Sequence, residues 1–387
     1  MNIREIAESI KGQVIDWRRE FHENPELTWE EVRTGNRVAE ELEKMGIEVK
    51  RMAKTGVLGI LKGGKPGKTV ALRADMDALP VTEANDVPYK SKNAGIMHAC
   101  GHDGHVAMLL GAAKILSGMK DDIKGTVRFI FQPAEEIAQG AIKMIEEGAM
   151  DGVGAVLGIH LWSGLPSGKI SLEPGPRMAS TDILKITVKG KGGHGSMPHQ
   201  GIDAAVAASA IIMNLQSIVS REVSPLDPAV VTIGKLNGGF RWNVLCSEVT
   251  LEGTTRCFNP DLVKSFPTII ERIAKNTAAS YRAQAEVEYT VGTPPVINDP
   301  AISKICCGAV EKLYGKDAAV EMEKVMGGED FAFLCEAAPG VMAFVGTGNS
   351  EKGTDVAHHH ERFNIDEDSL PVGTSLYAQF AVDFLSQ

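Results

Sequence analysis

The hydrophobic positions of this chain follow two rhythms that change along its length. Over residues 1 to about 178, short apolar runs alternate with stretches of helical spacing, the pattern of an α/β sheet. "KTVALRADMD" (68–77) holds an apolar strand that ends in two aspartates, Asp75 and Asp77. "GHVAMLLGAAKILSGM" (104–119) has helical periodicity, with Asp103 as a natural N-cap. "GTVRFIFQPAEE" (125–136) is a second strand, stopped by Pro133 and followed by Glu135 and Glu136, and "GAVLGIHLW" (154–162) is a third with His160 at its exit. The opening "MNIREIAESIKGQVIDWRREF" reads as one amphipathic helix.

Near residue 180 the rhythm shifts to alternation. "DILKITVKGKG", "AVVTIGKLNGG", "EVTLEGTTRCF" and "QAEVEYTVGT" read as strands, with helical stretches after the first and third. The order βαββαβ over 181–292 is that of a self-contained ferredoxin-like unit. "PPVINDP" reads as a linker, and the remaining helix, Gly-rich turn, strand and helix complete the first sheet. The expected architecture is a discontinuous α/β domain (1–180 and 293–387) with a mixed sheet, carrying an inserted α+β domain at 181–292.

Composition narrows the partners. A net charge of −10 with no long basic run disfavours nucleic acid. The N-terminus lacks the apolar centre of a signal peptide, and no stretch reads as the ~18 apolar residues of a membrane span. Six irregularly spaced cysteines suit a reduced chain better than a disulfide scaffold, so the expectation is a cytoplasmic protein.

The distinctive polar groups each follow a buried strand. In open α/β sheets ligands bind beyond the carboxyl ends of the strands, so groups distant in sequence converge there. The set is Cys100 and His102 from "HACGHDGH", Glu135 and Glu136, His160, and His358 to His360 of "AHHHERFNIDED". A structural zinc site would show local cysteine pairs; a dispersed mixture of one thiolate, imidazoles and carboxylates fits a catalytic site for one or two divalent metals. The sulfur disfavours magnesium and calcium and leaves zinc, manganese, cobalt or nickel. In the Glu-Glu pair one residue can bind metal while its neighbour acts as base on a water. Taken singly, His160 is a core imidazole, the glutamates a solvated helix start, the His triplet a loop and Cys100 a small buried hydrophobe. Four such coincidences at strand exits favour metal. A thiol nucleophile at Cys100, just before a helix N-terminus, competes but leaves the glutamates and distant histidines unused. A non-catalytic ligand binder is the third class, and it has no need of a base at Glu135. Within the octapeptide, Asp103 caps the helix or supports a ligand, and His98 and His105 are read as neighbours with structural hydrogen bonds.

Eight blocks in order, "WRREFHENPEL", "LRADMDALP", "MHACGHDGH", "FQPAEE", "GKGGHGSMPH", "NVLCSEVTLEGTTR", "GGEDFAF" and "HHHERFNIDED", resemble the M20 family of metallopeptidases and amidohydrolases over nearly the whole chain. The branch it resembles includes bacterial N-acyl-L-amino acid amidohydrolases (aminoacylases), hippurate hydrolases and plant auxin-conjugate hydrolases. The resemblance implies two divalent metal ions bridged by Cys100, with His102 and His160 on one and Glu136 and His359 on the other. His358 is the second choice for the last ligand. Glu135 is then the general base, and Asp75 and Asp77 orient imidazoles around the site. His194 would stabilise the oxyanion, and Asn243 and Arg256 would bind the substrate carboxylate, with Cys246 standing where the family has proline. The resemblance implies hydrolysis of N-acyl-L-amino acids or small N-blocked peptides by metal-hydroxide attack, with a small-peptide carboxypeptidase or dipeptidase as the alternative. It also implies a homodimer or homotetramer formed through the inserted domain acting as lid.

Overall fold

The computed structural model describes residues 2–387. From the N-terminus run α1 (Ile3–Ser9), α2 (Lys11–Glu23), α3 (Val32–Lys44), β1 (Glu48–Met52), β2 (Gly56–Lys62), β3 (Lys65–Asp75), α4 (His102–Gly118), β4 (Lys124–Gln132), α5 (Gly140–Glu146), β5 (Ala155–Pro166), β6 (Ile170–Ser171) and β7 (Gly175–Met178). Then come β8 (Thr181–Lys189), β9 (Gly193–His194), α6 (Ala204–Leu215), β10 (Ala229–Gly238), β11 (Val244–Leu245), β12 (Glu248–Cys257), α7 (Pro260–Ser280), β13 (Gln284–Thr293) and β14 (Val296–Asn298). The chain closes with α8 (Pro300–Tyr314), α9 (Phe331–Ala337), β15 (Gly340–Gly348) and α10 (Leu370–Leu385). It divides into two compact units, one of residues up to Arg177 with Ile297–Glu323 and Asp330–Gln387, the other of Met178–Val296 with Lys324–Glu329.

The first unit is built on a seven-stranded mixed sheet in the order β1-β2-β4-β3-β5-β15-β6. Its centre is parallel, with β3 beside β4 and β5, and β5 beside β15. The apolar runs of β3 and β5 are buried on both faces, as parallel strands under helices must be. Helix α4 is buried along nearly its whole length, and α10 likewise, which matches their all-round apolar sequences. Each large apolar side chain buried there contributes about 1.5–3 kcal/mol.

Rungs join β3 to β5 only from Val70↔Ala155 to Arg73↔Gly158, while β5 continues beside β15 as far as Pro166. The sheet therefore opens at the carboxyl end of β3, next to the start of α4. His160 accordingly lies inside β5 and not at its exit, because β15 extends the strand six residues beyond it.

The N-terminal helix expected as one piece is two, since Ile10 (φ −100°, ψ 4°) breaks the path between α1 and α2. The stretch read as a linker contains β14, and Asp299 caps α8 with its side chain.

The second unit has a four-stranded antiparallel sheet in the order β10-β12-β8-β13, with α6 and α7 in its apolar core. With its βαββαβ chain order this is the ferredoxin-like arrangement. The segment Ala204–Glu222 reaches membrane-spanning length and composition, with a mean hydropathy of 1.3 and 33% of it buried. Its buried residues pack into the core of this unit, so the sequence-based expectation of no such stretch missed a helix whose apolar face serves the fold.

Candidate metal centre

Four loops and strand ends of the first unit deliver the candidate ligands. The Sγ of Cys100 groups with ring nitrogens of His102 and His160, all within 4.8 Å of one another, and separately with Glu136 and His359 within the same distance. Cys100 is common to both sets. His102, Glu135 and Glu136 form a further group of this size.

The backbone explains how each donor is aimed. Gly101 adopts a left-handed conformation (φ 93°) that turns the chain between Cys100 and the first residue of α4, His102. His102 donates Nδ1–H to the carbonyl of Asp77 (2.8 Å), leaving its buried Nε2 without a hydrogen bond, 3.6 Å from Asp75 Oδ2 and 3.9 Å from Glu136 Oε1. His160 donates Nδ1–H to the Leu161 carbonyl (2.7 Å), and its Nε2 lies 3.7 Å from Cys100 Sγ. Both imidazoles thus have Nδ1 engaged by a backbone carbonyl and Nε2 left for the side of the thiol. The carboxylate of Asp77 accepts the N–H groups of Glu135 and Glu136 (3.1 Å each) and the Thr28 hydroxyl (2.8 Å). That contact fixes the turn after β4, where Ala134 has a positive φ of 54°.

The two contested histidines separate. His358 has its Nε2 3.0 Å from the Leu161 carbonyl and stacks on Trp162 with ring centroids 4.4 Å apart. His359, held at φ 65° by its N–H to the Ala99 carbonyl (2.8 Å), brings Nε2 to 3.8 Å from Glu136 Oε1. It is His359 that joins the Cys100 group. His360 is exposed, its Nδ1 accepting the Arg362 N–H.

Electrostatics point the same way. Burial pushes the Cys100 thiol up, and Glu136 and Glu135 add to this against the pull of His102. The helix start two residues away, which would favour a thiolate nucleophile, does not offset that cost. Burial opposes charge on His102, but Asp75 and Cys100 hold its pKa well above the ordinary value. Burial, with His105 and His358, holds His160 far below it and neutral. A buried thiol, two carboxylates and three imidazoles meet here, and this donor set fits a pair of thiophilic divalent cations.

Several expectations shift. Asp103 is no N-cap: it lies inside α4, where its buried carboxylate accepts from Arg18 Nε and His22 Nδ1 (both 2.8 Å). The Asp75 carboxylate meets His105 Nδ1 (2.6 Å) and Arg73 (2.7 Å), so it orients an imidazole outside the proposed ligand set. His105 has the structural hydrogen bonds expected of it, whereas neither ring nitrogen of buried His98 has one, and burial lowers its pKa to about 4. Sequence reasoning missed Arg18, Arg73 and Tyr377. "WRREFHENPEL" carried the signal for Arg18, but its partners come from distant segments.

In the second unit, His194 on β9 faces Val244 on β11 and is exposed. Its Nδ1 accepts the Ser196 N–H (3.1 Å), which puts a ring proton on Nε2. Asn243 is adjacent, its carbonyl accepting the Gly195 N–H (2.9 Å). Arg256, on β12, bonds Thr181 Oγ1. Cys246 donates to the Glu248 carbonyl.

A model described as peptidase family M20/M25/M40 matches residues 71–383. The N-acetylcysteine deacetylase of Bacillus subtilis (strain 168) is 42% identical over 372 residues, covering 96% of each chain. The N-acyl-L-amino acid amidohydrolase of Geobacillus stearothermophilus is 48% identical over 298 residues, 76% of this chain and 80% of that protein. A Bacillus subtilis crystal structure described as a dinuclear metal binding peptidase from the M20 family superposes with a TM-score of 0.87 at 38% identity, covering 98% of this chain and 99% of that one.

Proposed function

This chain belongs to peptidase family M20/M25/M40, and from that membership we propose a dinuclear metal-dependent amidohydrolase that cleaves N-acyl-L-amino acids to a carboxylate and a free amino acid. The observation that carries the reading is the shared position of Cys100 between two donor groups, His102 with His160 and Glu136 with His359. These residues would hold two ions, zinc, manganese, cobalt or nickel by donor softness. When bound, such ions polarise a carbonyl and lower the pKa of water to about 7.

The chain's own residues supply the rest. Glu135 takes the proton of the attacking water and returns it to the leaving amine. His194, with Nε2 protonated, donates to the oxygen that gains charge at the tetrahedral stage. Asn243 and Arg256 bind the substrate carboxylate, Arg256 by its two-pronged fork. Asp77 fixes the backbone of Glu135 and Glu136 through two N–H bonds, which keeps the base in place. The second unit also exposes two large apolar side chains just after β10, Phe240 and Trp242 at 86% and 89%, which support a homodimer or homotetramer.

The test is a Glu135→Gln variant assayed with acetyl-, benzoyl- and longer acyl-amino acids beside dipeptides. Turnover should fall about 10²–10⁴-fold while two metal ions per chain are retained. Preference for dipeptides over every acyl-amino acid would move the assignment to the small-peptide carboxypeptidase or dipeptidase. Chelator-insensitive turnover abolished by a thiol alkylator would move it to a Cys100 nucleophile. Sedimentation velocity of the wild type, with Trp242→Ser beside it, tests the assembly.

A further inference from the structure

We propose that His105 is a positioning residue for the metal centre: it substitutes for a missing strand neighbour on β5 and, through the Leu161 peptide, sets the orientation of His160 and His358. The proposal rests on the metal assignment above. Beyond Arg73↔Gly158, strand β3 no longer bonds β5, yet β5 runs on through the ligand His160 to Pro166. Polar backbone groups of β5 on its β3 side then need other partners, because buried N–H groups are rarely left unpaired.

Two buried side chains supply them. The Tyr377 hydroxyl, from α10, accepts the Ile159 N–H (3.0 Å) and donates to the Arg73 carbonyl (2.6 Å), bridging the first missing rung. Two residues on, Nε2 of His105 accepts the Leu161 N–H (2.9 Å). Accepting at Nε2 requires the ring proton on Nδ1, where Asp75 Oδ1 receives it at 2.6 Å. The other oxygen of Asp75 is held by Arg73 (2.7 Å), and Arg73 in turn by Asp330 (2.8 Å). The tautomer of His105 is thereby fixed by a buried ion-pair chain, whose Asp75 Oδ2 also lies 3.6 Å from Nε2 of His102, the ligand paired with His160.

The consequence lies on the other side of the same residue. With its N–H anchored, Leu161 presents its carbonyl to two imidazoles, His160 Nδ1 at 2.7 Å and His358 Nε2 at 3.0 Å. The first contact leaves the His160 lone pair facing Cys100 Sγ, and the second anchors the residue next to His359, whose backbone sits in the left-handed region. Gly104 keeps the space open, since a Cβ there would stand 2.5 Å from Leu161 Cδ1. One residue thus links three segments that carry donors, and His105 holds it.

The bland reading, an imidazole filling a core position, predicts that size matters and the acceptor does not. His105→Gln can place its amide oxygen near the Nε2 position, whereas the shorter His105→Asn reaches Asp75 but not Leu161. Both are compared with wild type by titrating the metal-free protein with Co(II). The thiolate-to-cobalt absorption, the d–d bands and competition by a chelator resolve the two ions, and apo melting curves report folding. The Asn variant is expected to lose about 10–100-fold in affinity for the ion on the His160 side, with the second ion within about threefold and the Gln variant restored to near wild type. Tyr377→Phe, one rung earlier, should weaken the same ion and spare the other, which keeps the contrast readable if the Asn variant does not fold. Unchanged binding in the Asn variant, or equal losses in Gln and Asn, overturns the positioning role. Wild type that takes up fewer than two ions overturns the metal assignment itself.

Discussion

Both units use ion pairs of the same length, but in opposite surroundings. In the first unit Arg18 meets Asp103 at 2.8 Å with side-chain exposures of 0% and 0%, and Arg73 meets Asp75 at 2.7 Å with 1% and 0%. In the second unit Lys185 meets Glu288 at 2.8 Å with 45% and 67% exposed, and Lys189 meets Glu286 at 2.7 Å. Distance does not rank them; burial and the identity of the cation do. The buried pairs use arginine, whose fork ties several segments at once, while the sheet surface uses lysine point charges on neighbouring strands. Arg18 joins α2 to the first turn of α4 and to Asn364 and Glu367, just past the histidine loop. Buried pairs are weak devices for stability as such, because desolvation offsets their attraction. Their position here is explained by geometry: they fix the segments that carry the donors.

The strongest way to break that contrast is Arg18→Met. It keeps the bulk but leaves Asp103 buried without its guanidinium, and removing one partner of a buried pair costs about 3–5 kcal/mol. The expected result is a large drop in the urea midpoint for the first unit, with weakened metal uptake because α4 and the 364–367 segment lose their common anchor. A loss under about 1 kcal/mol would place Arg18–Asp103 with the surface pairs and remove the distinction.

The contrast also marks how far the sequence could be read. Helices α4 and α10, strands β3 to β5 and the βαββαβ order were legible because apolar periodicity is a local property. Cys100, His102, Glu136 and His359 were legible as candidates because strand ends converge in an open sheet, and His160 joined them although it proved to lie inside β5. The partners were not. Asp103 reads as a cap from its neighbours, and only Arg18, 85 positions earlier, shows why it is turned inward. His105 reads as a bystander, since its role depends on a sheet opening that no local pattern records. The extension of β5 past His160 depends on pairing with β15, which lies far along the chain. His358 and His359 differ through backbone conformation, and a positive φ at a histidine leaves no mark on composition.

A subtler way to sharpen the comparison uses pH. His22 has Nδ1 2.8 Å from Asp103 and Nε2 3.1 Å from Glu83, so both ring nitrogens face carboxylates. Burial and Arg18 oppose its charge, yet the two carboxylates hold its pKa above the ordinary value; burial opposes the charge of Glu83, yet His22 holds it below. The raised histidine stabilises the fold fully below its unfolded value of about 6.5 and loses that contribution as pH rises through the raised value. The lowered glutamate contributes above about 4.3 and loses its share as pH falls through the lowered value. His22→Gln should therefore be most destabilising between these limits, with the gap to wild type shrinking as pH is raised. A gap that stays constant from pH 5 to 9 would mean that His22 titrates alike in the folded and unfolded chain, and one that widens as pH rises would mean that it is neutral in the native state.

The smallest effect belongs to the surface. Lys189→Ala removes the cross-strand partner of Glu286 on the β8–β13 pair, where both side chains are more than 40% exposed. Water solvates the remaining carboxylate, and the freed side-chain entropy offsets part of the lost attraction. The cost should be about 0.2–1 kcal/mol and should fall further at high salt, where the Debye length contracts to about 3 Å at 1 M. Urea melts at low and at 1 M salt check this directly. A loss of several kcal/mol, insensitive to salt, would show that lysine pairs on this sheet hold structure as the buried arginines do, and burial would no longer separate the two classes.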